Sequence, residues 1–369
     1  MKILLVQLYS NGDCLYATTV ARQIKNDYPG CHLTWAVASF CKSIIDNNPY
    51  VDDVMEVKSV VKDNVSTYRA FKKEIMARQQ QGEWDKVFYS NIIDDNQAYY
   101  DGSIRSAVLR SYGSPITVPV QPSLRLYDHE IAKAKSFAEK YKLSDFQNVI
   151  LFEFAPLSRQ IPITKEIAIE IAENIVQVEN TVIILSSALK INHPNPAIID
   201  GSELSFRETA ALTHHCTMLL GCSSGITWVS TSDAGKQLPM VQLINAETKW
   251  VNAISRDFER FNIPTDHLIE LIQFDKDEVV RCVKDSLVNF EQAKLKYNKP
   301  LPLHFRTTRF IVYNLLCYLH FKAIAKHIQV NKEVYGVRLK FYGEVLRGFL
   351  MFPFRLIQNT VRKKILKKA

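Results

Sequence analysis

The sequence has no Cys-x-x-Cys pair; its seven cysteines, at 14, 31, 41, 216, 222, 282 and 317, are scattered and odd in number. That argues against a disulfide framework and a structural zinc site, and it fits a reducing compartment. His214-His215 is the one adjacent histidine pair. Neighbouring side chains diverge on a helix or a strand, so the pair reads as structural rather than as a metal ligand set. The strongest apolar run of the tail, Phe310–Phe321, is only 12 residues long and carries Asn314 and His320; a bilayer span needs about 20. The opening Met-Lys-Ile-Leu-Leu has no basic leader and no small-residue cleavage site, so a cytoplasmic chain is expected. Low-complexity linkers and short repeats are also missing.

Acidic charge is scarce in one place. Residues 301–369 hold 14 Lys/Arg against 2 Asp/Glu, while residues 1–300 hold 32 against 36. The overall +8 therefore belongs to the tail, and a mildly acidic body excludes the broad basic surface of a nucleic-acid binder. At 369 residues, 47% hydrophobic and 23% charged, the chain has the composition of a folded protein and the length of two domains.

What is present is an alternation of strands and helices. Ile3–Leu8 is a nearly continuous apolar run, the pattern of a strand buried on both faces. Asn11-Gly12-Asp13 breaks it, and Leu15–Asp27 reads as a helix closed by Tyr28-Pro29-Gly30. Strands are expected at His32–Val37, Val54–Val57 and Lys86–Tyr89, with helices near Ser39–Asn47 and Val65–Gln80. Residues 115–125, with three prolines, read as an irregular connection, and a helix near His129–Tyr141 leads into a second half. There Val149–Phe154, Val182–Leu185, Met218–Leu220 and Met240–Ile244 read as strands, the last closing the series. Lys165–Val178, Ser205–His215 and Thr227–Ala234 read as helices. Such alternation means parallel sheets. It predicts an α/β chain of two Rossmann-like, doubly wound domains facing a cleft, at 1–145 and 146–300, followed by a basic helical extension at 301–369.

Two roles are open to Asp13 at its strand-to-helix turn: a helix cap favoured by the macrodipole, or a reactive group at the carboxyl end of a parallel strand. The blocks that follow, Tyr28-Pro29 and Asn48-Pro49-Tyr50-Val51-Asp52-Asp53-Val54, bear on the choice. With the opening Gly12-Asp13 loop they resemble, in order, glycosyltransferase family 9, the ADP-heptose:lipopolysaccharide heptosyltransferase type. Leu204-Ser205-Phe206-Arg207-Glu208-Thr209-Ala210-Ala211-Leu212 is similar to the family's Leu-x-Glu-x-Ala-x-Leu helix. Gly221-Cys222-Ser223-Ser224-Gly225-Ile226-Thr227-Trp228 falls where the family has Gly-x-Asp-(Ser/Thr)-Gly-x-x-His, with Ser223 for its Asp and Trp228 for its His. Phe154-Ala155-Pro156-Leu157-Ser158-Arg159-Gln160-Ile161-Pro162 resembles its strand, small-residue loop and Lys/Arg-x-Trp-Pro.

The resemblance spans about residues 1–245. It implies a GT-B fold with the acceptor side in the first domain and a nucleotide-sugar donor site in the second. Asp13 would be the catalytic base, flanked by Asn11 and Gly12 on the acceptor side. Ser158, Arg159, Ser223, Ser224, Gly225 and Trp228 would face the donor and its diphosphate. The implied reaction is an inverting, metal-independent transfer of a heptose or related sugar to a lipopolysaccharide-type or other lipid-linked glycan, with no cofactor. Ser223 and Trp228 leave a UDP- or GDP-sugar donor, or a non-catalytic glycan- or nucleotide-binding role, as alternatives. The residues themselves also allow a plain Ser cap at 223–225 and a solvated loop cation at Arg159. Asp94-Asp95 is expected as a solvated acidic loop rather than a metal pair.

In the tail, Lys340, Glu344, Arg347, Arg355, Gln358 and Arg362 recur at helical spacing, with Phe341, Val345, Phe349, Phe352 and Leu356 on the other face and Pro353 expected to kink the helix. With the terminal Arg362-Lys363-Lys364-Ile365-Leu366-Lys367-Lys368 this predicts attachment to an anionic membrane surface at the cytoplasmic face. Packing of the apolar face across the two domains is the structural alternative.

Overall fold

The computed structural model describes residues 1–154, 161, 163–245, 253–299, 301 and 307–366. In the first half, β1 (Lys2–Val6), α1 (Asn11–Asp27), β2 (His32–Ala38), β3 (Asp53–Val57), α2 (Val65–Gln80), β4 (Lys86–Tyr89) and α3 (Ile104–Arg110) build a parallel sheet of order β3-β2-β1-β4. Helix α4 (Asp128–Lys140) leads to the second half. That half comprises β5 (Asn148–Glu153), α5 (Lys165–Ile175), β6 (Thr181–Ser186), β7 (Ile198–Asp200), α6 (Phe206–Leu212), β8 (Met218–Gly221), α7 (Gly225–Ser230), β9 (Met240–Leu243), α8 (Ile254–Arg260), β10 (Leu268–Leu271), α9 (Lys276–Val288) and α10 (Phe290–Tyr297). Its parallel sheet runs β10-β9-β8-β5-β6-β7, the 3-2-1-4-5-6 strand order of doubly wound dinucleotide folds. The tail forms α11 (Thr307–Tyr318), α12 (Phe321–Tyr335) and α13 (Leu339–Leu366).

The strands are apolar because both faces are covered: Ile3, Leu4, Leu5 and Val6 are fully buried, as are Ile150, Leu151 and Phe152. In each sheet the order reverses beside its first strand, between β1 and β4 and between β5 and β8. Crevices at such reversals are where open α/β sheets bind ligands.

Several expectations change. Helix α1 begins at Asn11, not Leu15, so Gly12 and Asp13 lie in its first turn. The second sheet does not close at β9; Leu268–Leu271 adds another parallel strand beside it. Asp94 is not a solvated acid: Arg69 donates to its Oδ1 from Nε at 2.9 Å and from Nη2 at 2.5 Å. Asp95 pairs with Lys72 at 3.3 Å and with His320 of the tail at 3.3 Å. Helix α13 runs unbroken through Pro353. Pro353 is exposed, so the carbonyl that its missing N–H leaves unpaired can bond to water.

The irregular 115–125 segment is fastened to α1. The Gln23 Oε1 accepts from Thr117 N–H at 2.8 Å and Val118 N–H at 3.1 Å, and Arg22 donates to the Pro119 carbonyl at 2.8 Å. Across the two halves, Arg207 of α6 grips both Glu130 oxygens, at 2.6 and 2.8 Å, and the carbonyls of Ser43 and Asp46, at 3.0 and 3.1 Å. The family-like 204–212 segment is thus also a fastening of one half to the other, capped by Ser205 and Glu208.

Candidate active site

The crevice at the end of β1 is built by the first turn of α1. Ser10 precedes the helix and Asp13 follows three residues on, its carboxylate taking a hydrogen bond from the Ser10 backbone. Desolvation in the crevice pushes the Asp13 carboxyl from 3.8 up to about 7; Lys62 opposes this and Asp63 adds to it. Both come from the exposed loop after β3. A partly exposed carboxyl titrating near neutrality at a sheet reversal has the reach and the basicity of a general base. Beside it, Tyr9 stacks on Phe40, with ring centroids 5.9 Å apart and planes 7° from parallel, and Phe40 is 57% exposed.

The second crevice lies where β5 and β8 end. Glu153, the last residue of β5, is buried there and fills the start of α7. Its carboxylate accepts from the Ser224 hydroxyl at 2.5 Å, the Ile226 N–H at 3.1 Å and the Thr227 hydroxyl at 3.3 Å. Burial raises the Glu153 pKa, and these bonds oppose the rise. The turn expected to cradle a diphosphate therefore already holds a carboxyl group of the protein's own. The Gly225 N–H has no partner among the described residues. Ser223 sits at φ +52°, a region that costs a non-glycine residue about 1–2 kcal/mol. Its N–H donates to Gln242 Oε1 at 2.9 Å, and the same oxygen accepts from Thr227 Oγ1 at 3.0 Å. Gly225 must lack a side chain: a Cβ there would lie 2.7 Å from the Phe206 ring.

Glu153→Ala would strand the Ile226 N–H and the Ser224 hydroxyl in a partly buried site, while Thr227 keeps Gln242 as its acceptor. We expect a loss of about 2 kcal/mol or more, read as a lower urea midpoint at unchanged slope.

Trp228 is a core residue in this structure rather than an open ligand contact. It is 2% exposed, meets Tyr16 edge-on at 5.1 Å between centroids, and lies 3.7 Å from where a Cβ on Gly12 would be. Arg105 completes the cluster, its guanidinium 4.9 Å from the Tyr16 ring, 5.7 Å from Trp228 and 5.5 Å from Phe261. Asp257 lies 3.1 Å from the Arg105 Nε. The turn bearing Asp13 thus rests on the helix of the opposite crevice. Ser158 and Arg159 lie outside the described residues. Among the described residues, no group of three or more His, Cys, Asp or Glu side chains is arranged to hold a metal ion.

Glu153, Gln242 and the Arg105–Asp257 pair escaped the sequence reading. For the first two a signal exists: Glu153 closes the apolar run Val-Ile-Leu-Phe of a parallel strand, and Gln242 is the one polar residue within Met-Val-Gln-Leu.

No protein-family profile matches the sequence, and no curated protein matches it. Among solved structures, a family 9 glycosyl transferase from Veillonella parvula superposes with a TM-score of 0.53 at 16% identity, over 77% of this chain and 89% of its own. The E. coli ADP-heptose lipopolysaccharide heptosyltransferase II superposes with a TM-score of 0.53 at 12% identity, over 79% of this chain and 100% of its own. The chain has their fold, two parallel α/β sheets of GT-B type, as the resemblance implied.

Proposed function

We propose that the chain is an inverting, metal-independent glycosyltransferase that moves a sugar from a nucleotide-diphosphate donor to a lipid-linked, lipopolysaccharide-type glycan, with Asp13 as base. The observation that carries the reading is the Asp13 carboxyl, pushed up to about 7 at the strand reversal of a fold shared with heptosyltransferases. Deprotonated, it takes the proton of the acceptor hydroxyl as that oxygen attacks the anomeric carbon. A single displacement needs no second carboxylate nucleophile, so the anomeric configuration inverts.

On the donor side, the Gly225 N–H, the Ser223–Ser224 turn, Ser158 and the Arg159 cation are assigned to the departing diphosphate. Trp228 contributes from beneath, by supporting the Gly12-Asp13 turn. The domain assignment follows: 1–145 for the acceptor, 146–300 for the donor and 301–369 as the extension. A lipid-linked acceptor puts the reaction at the cytoplasmic face of a membrane.

The donor nucleotide is tested by thermal shift with ADP-, UDP-, GDP- and CMP-sugars. The true donor at a hundred times its dissociation constant should add about 2.7 kcal/mol of stability. A response to none of the four sinks the donor assignment.

A further inference from the structure

The tail carries two adjoining surfaces that sugar transfer does not use. The first is a stripe along α13. Phe341 and Gly348 are buried, and a Cβ on Gly348 would lie 2.9 Å from the Ile311 Cβ, so α13 is pressed closely against α11. Val345 and Phe352 pack on the same small core. Phe349 and Leu356, expected on that face, are instead exposed at 40% and 47%. A separate row remains in solvent: Leu339, Tyr342, Leu346, Leu350, Phe354 and Ile357 recur every three or four residues, with Leu339 92% and Phe354 70% exposed. A continuous exposed apolar row of this kind marks an interaction face.

The second surface is an open groove of about 630 Å³ between α11 and α13, with Val312, Leu316 and Met351 in its lining and Arg309, Arg347 and Arg355 around them. Among the described residues no carboxylate lies within ion-pair distance of these three arginines. Glu344, in the same lining, accepts the Thr307 N–H at 2.9 Å, and Arg355 donates to Gln358 Oε1 at 3.1 Å. Beyond the groove the sequence continues with Arg362-Lys363-Lys364.

We propose that the tail is an anionic-lipid-binding module. The Leu339–Ile357 row lies in the interfacial layer of a bilayer, and the Arg309–Arg347–Arg355 groove takes the phosphate of an anionic phospholipid head. Charge decides the occupant. A second copy of the chain would set one +12 tail against another, which repels. A nucleic acid leaves the apolar row in water. An anionic bilayer satisfies both surfaces, since an amphipathic helix buries its apolar side at the boundary while its cations meet the headgroups. No helix of the described residues is long and apolar enough to cross a membrane, so the tail would lie on the surface. The proposal extends the lipid-linked acceptor reading and rests on it only for its purpose.

The test is sedimentation of the full-length protein with phosphatidylcholine vesicles, with and without phosphatidylglycerol. Wild type should bind only when phosphatidylglycerol is present. Arg347→Gln/Arg355→Gln should weaken that binding about thirtyfold. Leu350→Ser/Phe354→Ser, at exposed positions, should abolish it while leaving the melting temperature unchanged. Equal sedimentation of wild type and both variants, or no binding by wild type, overturns the proposal. Transfer to a water-soluble acceptor fragment is measured in parallel. Vesicle binding without transfer counts against the glycosyltransferase reading alone, and transfer without vesicle binding counts against the tail proposal alone.

Discussion

Asp13→Asn is expected to lower turnover by about 10²- to 10⁴-fold while leaving the fold and donor binding in place. The amide fills the same space in the first turn of α1, and the donor contacts assigned to the opposite crevice do not involve it. Wild-type kcat/KM should rise with pH and level off above about 7, where the Asp13 carboxyl has lost its proton. Below that it should fall tenfold per pH unit. Lys62 holds the carboxyl down against desolvation, so Lys62→Met should move the inflection to higher pH. A pH profile that ignores Lys62→Met, or an active Asp13→Asn enzyme, removes Asp13 from the mechanism.

The same substitution should stabilise the protein. In the unfolded chain the Asp13 carboxyl titrates at its ordinary 3.8, and in the fold at about 7. A raised folded pKa means that the native state binds this proton more tightly, so wild-type stability falls as pH rises between those two values. Asn cannot ionise and escapes the loss. At pH near 8 the variant should exceed wild type by on the order of 1–4 kcal/mol, with the two equal near pH 3. The gain in stability with loss of turnover separates a strained catalytic carboxyl from a helix cap, whose removal would destabilise.

How far the sequence reaches depends on the range of the interaction concerned. The strands and helices that apolar periodicity marks are present, and Val65–Gln80 and Lys86–Tyr89 match to the residue. In α1 the periodic residues begin at Leu15, but the first turn is polar and invisible to periodicity, which hid the placement of Asp13 inside the helix. The short edge strand Leu268–Leu271 was missed because Glu270 interrupts it; that carboxylate accepts the Ile254 N–H at 2.6 Å, repeating the arrangement of Glu153 at α7. Glu153 and its partners are about seventy residues apart in the chain, with separations of 71 and 73, and no local pattern connects them. The tail misled for another reason. Both sides of α13 are apolar, and only the close approach of α11 at Gly348 determines which side is covered.

Asp257→Ala should cost about 3–5 kcal/mol, the usual penalty for stranding one charge of a buried pair. Arg105 and Asp257 are each 1% exposed, and three aromatic rings surround the guanidinium. Burial raises the Asp257 pKa and Arg105 opposes the rise, while the Ser103 hydroxyl donates to Asp257 Oδ1 at 2.8 Å. No other carboxylate is at hand, since Asp101 is committed to Arg110 and Arg260, each at 2.5 Å. Removing both charges together, as Arg105→Met/Asp257→Leu, strands neither and should recover most of the loss. The pair joins α3 of the first half to α8 of the second, beside the Trp228 on which the Asp13 turn rests. Asp257→Ala should therefore lower kcat as well as the urea midpoint, with the double variant recovering both. If stability returns in the double variant and kcat does not, the charges orient the Asp13 turn directly; if both return, the packing of that seam is enough.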